Sequence, residues 1–179
     1  MKKLITILAL AIAVPSMVMA QGTVNFSSTS ANHVIRQNGT AVAAGTATVG
    51  LYGGALGASE GSLTLLGTTV LNGAGGGVSG GSRINTFVLG GANGTFQVRA
   101  WTGGFATYEA AIAAGSGLAG VSTVFVNATG NPGAQPPTAP ANLAGWTTPV
   151  ALVPVPEPST IALGILGAGS LLFLRRKKA

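Results

Sequence analysis

Hydrophobic and polar positions fall into three regimes along the chain. Residues 4–14 are apolar apart from Thr6, preceded by Lys2-Lys3 and closed by Pro15. Residues 160–174 form a second apolar run, closed by Arg175-Arg176-Lys177-Lys178. Between them the pattern changes to short alternations of apolar and polar residues. Thr23-Val24-Asn25-Phe26-Ser27 is the clearest, and parts of 46–52, 83–89, 95–102 and 121–126 repeat it. A period of two marks strands with one buried face. Asn38-Gly39, Asn72-Gly73 and Asn93-Gly94 read as tight turns. Residues 73–81 are too glycine-rich for a regular element. Residues 129–141, with four prolines, read as a long extended loop. Residues 146–153 read as a last strand. The fold class predicted is all-β: one β-sandwich-like domain over residues 21–153, flanked by an N-terminal signal peptide and a C-terminal transmembrane helix.

The first regime has the form of a secretory signal. Lys2-Lys3 supply the positive start, and Val18-Met19-Ala20 place small residues where a signal peptidase reads them. Cleavage after Ala20 leaves Gln21 as the new N-terminus. An uncleaved anchor helix competes, but the run is short for a span and stops at a proline.

Charge adds to this picture by its placement. The formal net charge is +6, and six of the nine Lys and Arg residues lie in the first three or last five positions. The body keeps only Arg36, Arg83, Arg99, Glu60, Glu109 and His33 as titratable or charged groups besides two tyrosines. No basic patch lies between residues 4 and 174, so a nucleic-acid partner is not expected. The chain has no cysteine, which removes disulfides and thiolate metal sites.

The third regime is preceded by Val153-Pro154-Val155-Pro156-Glu157-Pro158-Ser159. Alternate prolines fix φ and remove N–H donors, so a stiff polyproline-like stalk is predicted. Residues 159–174 make a helix of about 24 Å, a little short of a bilayer core. The basic residues 175–178 act as a cytoplasmic stop, and their stems can snorkel to make up the length. Gly164, Gly167, Ala168 and Gly169 permit close helix approach, although glycine is common throughout the chain.

The motif Val155, Pro156, Glu157, Pro158, Ser159, followed by a short apolar helix and Arg175, Arg176, Lys177 and Lys178, resembles the PEP-CTERM sorting signal. The resemblance covers roughly residues 154–178, with the signal as a whole occupying 154–179. It implies an exported protein of a bacterium with two membranes. It also implies recognition by an exosortase, a membrane enzyme with a cysteine nucleophile that cuts near Pro-Glu-Pro. The partners expected are that enzyme, the secretion machinery, signal peptidase and, transiently, the inner membrane. The destination implied is the cell surface or extracellular matrix, often alongside exopolysaccharide. A plain C-terminal anchor behind a proline linker is the alternative.

Within the body, Gly45-Thr46-x-x-Val49-x-x-Tyr52 matches Gly94-Thr95-x-x-Val98-x-x-Trp101, and the same offset places Glu60 on Glu109. Two related strand–turn–helical-turn units are predicted, against chance similarity in a chain of small residues. After Glu109 a short helix is expected, with Thr107 as N-cap and Gly115 just past its end.

Chemistry is sparse. Glu60 and Glu109 could on residue type form a glycosidase pair, but helix-start positions explain both without catalysis. His33 has no Gly-x-Ser-x-Gly elbow to serve and reads as a strand-edge or loop residue. No metal-ligand spacing and no cofactor motif occur. Asn25, Asn38, Asn93 and Asn127 each open an Asn-x-Ser/Thr triplet, a pattern expected by chance here. Trp101 and Tyr108 are the candidate ligand contacts, as a platform for a sugar ring, while strand aromatics more often fill a core. The chain is therefore read as a non-enzymatic surface or matrix protein with a structural or adhesive role. A carbohydrate-binding module for exopolysaccharide is the alternative.

Overall fold

The computed structural model describes residues 20–28 and 33–156. Eleven strands and one short helix follow in chain order: β1 Gln21–Ser27, β2 Ile35–Gln37, β3 Thr40–Ala41, β4 Thr48–Gly54, β5 Thr64–Val70, β6 Ser79–Leu89, β7 Asn93–Trp101, α1 Tyr108–Ala114, β8 Leu118–Val121, β9 Phe125–Ala128, β10 Ala141–Asn142 and β11 Val150–Pro154. Two 3-10 turns, Glu60–Ser62 and Ala74–Gly76, interrupt the connections. The described chain is mostly β, with no closed barrel.

The alternation in the sequence becomes two sheets. One has the order β10-β1-β6; the other has the path β3-β2-β11-β8-β7-β4-β5, with β9 continuing β8 along the same edge of β7. One core cluster joins them: Val24 and Phe26 from β1 meet Val49, Leu51, Phe96 and Val98 from β4 and β7. These are every-second residues of their strands, as the pleat requires. Leu143, Trp146, Val150 and Leu152 complete the cluster from the C-terminal part.

Strand positions follow the pattern; boundaries and some turns do not. Asn38 and Gly39 take φ of 50° and 76° between β2 and β3, a type I′ geometry that asparagine and glycine favour. Asn93-Gly94 is not a turn. It opens β7, and the reversal lies just before it, where the Ala92 N–H donates to the Leu89 carbonyl. Asn72-Gly73 closes no hairpin: the Asn72 amide pairs with both backbone groups of Ser79 across the connection. The glycine-rich segment 73–81 is half regular, because β6 starts at Ser79 and pairs with β1. The strand expected over 121–126 is split. Ser122 fills the gap between β8 and β9, its hydroxyl accepting from the Val98 N–H at 2.9 Å.

His33 is buried and stacks on Trp146, with ring centroids 5.2 Å apart and planes at 9°. Burial lowers its pKa below the usual 6.5. A group whose folded pKa is depressed stabilises the fold above its unfolded pKa and loses that contribution as pH falls. The unfolding free energy is therefore expected to decline below about pH 6.5, and His33→Phe to flatten that decline. Urea titrations at a series of pH values check this; an equally steep acid limb in the variant would reject it.

The predicted stalk is shorter than the prolines suggested. Val153 and Pro154 belong to β11, pairing with Ala119 and Leu118 of β8. Val155 is buried, and its N–H donates to the Gly117 carbonyl at 3.1 Å. Pro154 is tolerated because only some strand positions must donate into a ladder. Packed structure thus runs to Val155, two residues past the expected limit of the domain. The signal peptide apart from Ala20, and Glu157 with everything after it, lie outside the described residues. No helix among the described residues is long and apolar enough to cross a membrane.

Candidate functional site

The densest polar cluster lies on the face of β4 and β7 turned away from the main core. Alternation sends Phe96, Val98 and Ala100 to that core and Gln97, Arg99 and Trp101 to the other face. Every residue of β7 after Asn93 is buried, because that second face is covered too. Its cover is the loop leading to the Glu60 turn, together with α1. The loop is pinned where the Gly57 N–H donates to Thr95 Oγ1 at 2.8 Å. α1 forms as expected: Thr107 accepts from the Ala110 N–H, and Gly115 takes the left-handed conformation after the last turn.

Arg99 stands at the centre and is almost wholly buried. Its Nη1 meets Glu109 Oε1 at 2.5 Å, Nε donates to Gln97 Oε1 at 2.8 Å, and Nη2 donates to the Glu60 carbonyl at 2.9 Å. Its guanidinium lies over the Tyr52 ring at 4.0 Å and near the Tyr108 ring at 5.5 Å. Such sandwiching is favourable where water is excluded. The Tyr52 hydroxyl donates to Glu109 Oε2 at 2.8 Å. Gln97 Nε2 donates both to Glu60 Oε1 at 2.8 Å and to the Ser122 carbonyl at 3.0 Å. Burial, then the bond to Glu109, raise the Tyr52 pKa far above its usual value of 10.0. Burial also raises that of Tyr108.

Both acids of the body therefore converge on one arginine. The internal repeat explains how. β4 and β7 are antiparallel neighbours, with Thr48 opposite Trp101, Gly50 opposite Arg99 and Tyr52 opposite Gln97. The repeat offset carries Thr48 to Gln97, Gly50 to Arg99 and Tyr52 to Trp101. Within the two strands the repeat offset thus coincides with the local two-fold axis of the antiparallel pair, through Gly50–Arg99. Each repeat unit is a strand, a turn and a helical turn, one ending in the 3-10 turn at Glu60 and the other in α1 at Glu109. The symmetry is broken where it matters for packing. Opposite Arg99 stands glycine, and a Cβ at Gly50 would lie 3.1 Å from the Trp101 ring.

Chemically the guanidinium is closed off, while Glu60 and Glu109 are exposed to solvent. Arg99 has a partner for each of its three nitrogens and is not presented to an anion. Glu60 and Glu109 face hydrogen-bond donors, so each is held in place by the network around Arg99. Among the described residues no group of His, Asp and Glu could hold a metal ion.

The two expected ligand contacts, Trp101 and Tyr108, differ in exposure. Trp101 has no exposed surface and anchors a second small core with Ala111, Ala119 and Val155, its Nε1 donating to the Phe105 carbonyl at 2.8 Å. A sugar platform at Trp101 is therefore corrected to a core role, as its position on a doubly covered strand requires. Tyr108 is half-buried and packs edge-on against Trp101 with centroids 6.4 Å apart. Of the Asn-x-Ser/Thr triplets, Asn38 sits at an exposed hairpin tip, whereas Asn127 is buried. Ala20 precedes β1, with its carbonyl accepting from the Gly90 N–H, and Gln21 is the first residue of that strand.

Sequence reading singles out Tyr52 as the aromatic of the first repeat unit and as a candidate for recognition, but gives no role to Gln97 or Arg99 in a site. The repeat already placed Gly50 on Arg99 and Glu60 on Glu109, so the convergence was encoded there. Seeing it required the pairing register of β4 with β7.

Residues 154–178 match the PEP-CTERM protein-sorting motif. No curated protein and no solved structure matches the chain. The motif indicates exosortase-dependent sorting of an exported protein, with transient membrane anchoring before delivery to the cell surface.

Proposed function

We propose that the protein is a non-enzymatic component of the bacterial surface or extracellular matrix, in which a β-sandwich-like body performs a structural or adhesive role. Signal peptidase frees the body at Gln21, and an exosortase-type enzyme removes the helix at 159–174 and its basic stop. The observation that carries this reading is the sorting motif at 154–178. The body supports it indirectly, because its buried Arg99 is spent on internal bonds rather than directed at a substrate. The same closure weighs against the exopolysaccharide-binding alternative, whose main aromatic, Trp101, is a core residue.

The intact mass of protein released from cells tests the reading. A chain beginning at Gln21 and ending close to Pro156 is expected. Glu157→Ala is expected to leave a full-length C-terminus in the membrane fraction. A native chain that keeps Ala179 and stays in the membrane would reduce the C-terminal device to a plain anchor.

A further inference from the structure

The tether between the folded body and the membrane is very short. Val155 is buried and backbone-bonded to Gly117, and the apolar helix predicted from sequence starts at Ser159. The four steps between them span about 12 Å in the polyproline geometry predicted from sequence. The headgroup layer takes up about 5–7 Å of that, the difference between hydrocarbon core and whole bilayer on one side. What remains, about 5–7 Å, holds the exit point close against the headgroups.

The strand registers define which end of the body is held there. The end of β11 lies beside the start of β8, Pro154 opposite Leu118. β8 lies beside the end of β7, Ala119 opposite Trp101, which in turn faces the start of β4 at Thr48. On the other side β11 runs parallel to β2, Leu152 beside Gln37, so the Asn38-Gly39 hairpin is at the same end. At about 4.8 Å per strand, these elements form a rim about 20 Å across around the exit point. The rim turns 43–46 and 102–107 carry no charged residue. Val153 beside the exit exposes 57% of its surface. The cation at the rim is Arg36, which donates to the Gly39 carbonyl at 2.9 Å. Glu109 stands behind the rim and is paired with Arg99.

We propose that before processing this end of the body rests directly on the lipid headgroups, through the Asn38-Gly39 hairpin and the turns 43–46 and 102–107. The partner is a lipid surface, and the contact presents the residues after Val155 to a membrane-embedded enzyme at a set height. The proposal rests on the membrane helix in the function proposed above.

The chain has no cysteine, so single labels are clean. Nitroxides are placed at Ala44→Cys and Ala106→Cys on the rim. A third, at Ala92→Cys before β7, lies at the opposite end, about 27 Å away along the strand. Full-length protein is reconstituted into phosphatidylcholine–phosphatidylglycerol vesicles that carry nickel-chelating headgroups. Relaxation enhancement by the lipid-borne nickel is expected to be several-fold greater at 44 and 106 than at 92. A flexible spacer of about 20 Gly and Ser residues inserted after Pro156, adding about 25 Å of reach, is expected to remove the difference. Equal enhancement at all three sites, in protein that floats with the vesicles, overturns the docking and leaves the helix intact. Protein that does not float with the vesicles overturns both the docking and the membrane helix.

Discussion

Replacing Arg99 by Met is expected to lower the unfolding free energy of the body by about 3 kcal/mol. The substitution keeps an unbranched side chain between Tyr52 and Tyr108, so packing changes little. What it removes is the donor set. Gln97 Oε1 loses its Arg99 partner in a buried setting and the Glu60 carbonyl in a part-buried one, and unmet buried acceptors are costly. Glu109→Gln removes the same ion pair from the other side. Yet 56% of the Glu109 side chain is exposed, so water can replace much of what is lost. That variant is expected to cost less than about 1 kcal/mol. Arg99→Lys keeps the charge but cannot reproduce the forked geometry, and should fall between the two. Urea unfolding of the chain from Ala20 to Pro156 measures all three. If Arg99→Met and Glu109→Gln cost the same, Arg99 is one half of a surface ion pair and not the centre of a buried network.

Ending the chain at Pro149 is expected to abolish folding, whereas ending it at Pro156 should leave the body as stable as in the full-length chain. β11 lies inside the larger sheet, between β2 and β8. Its loss unpairs both neighbours and removes Val150, Leu152 and Val155, which are 0%, 2% and 8% exposed. Burial of three such side chains is worth about 5–9 kcal/mol, comparable to the whole stability of a small domain. Far-UV circular dichroism and urea titration of the two chains decide the matter. The comparison also bears on processing: a cut after Pro156 leaves the body whole, while a cut before Val150 destroys it. A folded, cooperative chain ending at Pro149 would show that β11 is an accessory strand and that the stalk begins earlier than its packing indicates.

Strand-forming segments were legible because one face of each is buried and the side-chain period is two. β1, β4, β6 and β7 all lie where alternation placed them, and α1 has the caps its sequence carries. β5 and β2 were not foreseen. β5 is an edge strand with no buried residue, so its burial leaves no alternating signature. The short β2 is held by β11, which comes more than a hundred residues later. Asn93-Gly94 misled because the same dipeptide serves a turn or a strand start, and the reversal was taken by Gly90 and Gly91 just before it. The proline stalk misled because alternate prolines are compatible with a strand whose remaining N–H groups find partners.

By itself the sequence determined the sorting route of this protein, since the motif at 154–178 is one contiguous segment that depends on local composition alone. It also determined the β character of the body, which follows from a period of two. Only the tertiary structure decided what the charged residues do. Glu60 lies 39 residues from Arg99 and meets it because β4 and β7 pair in one register, with Gly50 leaving room for the Trp101 ring, while Glu109, ten residues on, is brought back by the turn into α1. It also decided where the body ends, because whether Val155 belongs to a stalk or a core depends on Gly117 and Trp101, which no local pattern around the prolines specifies.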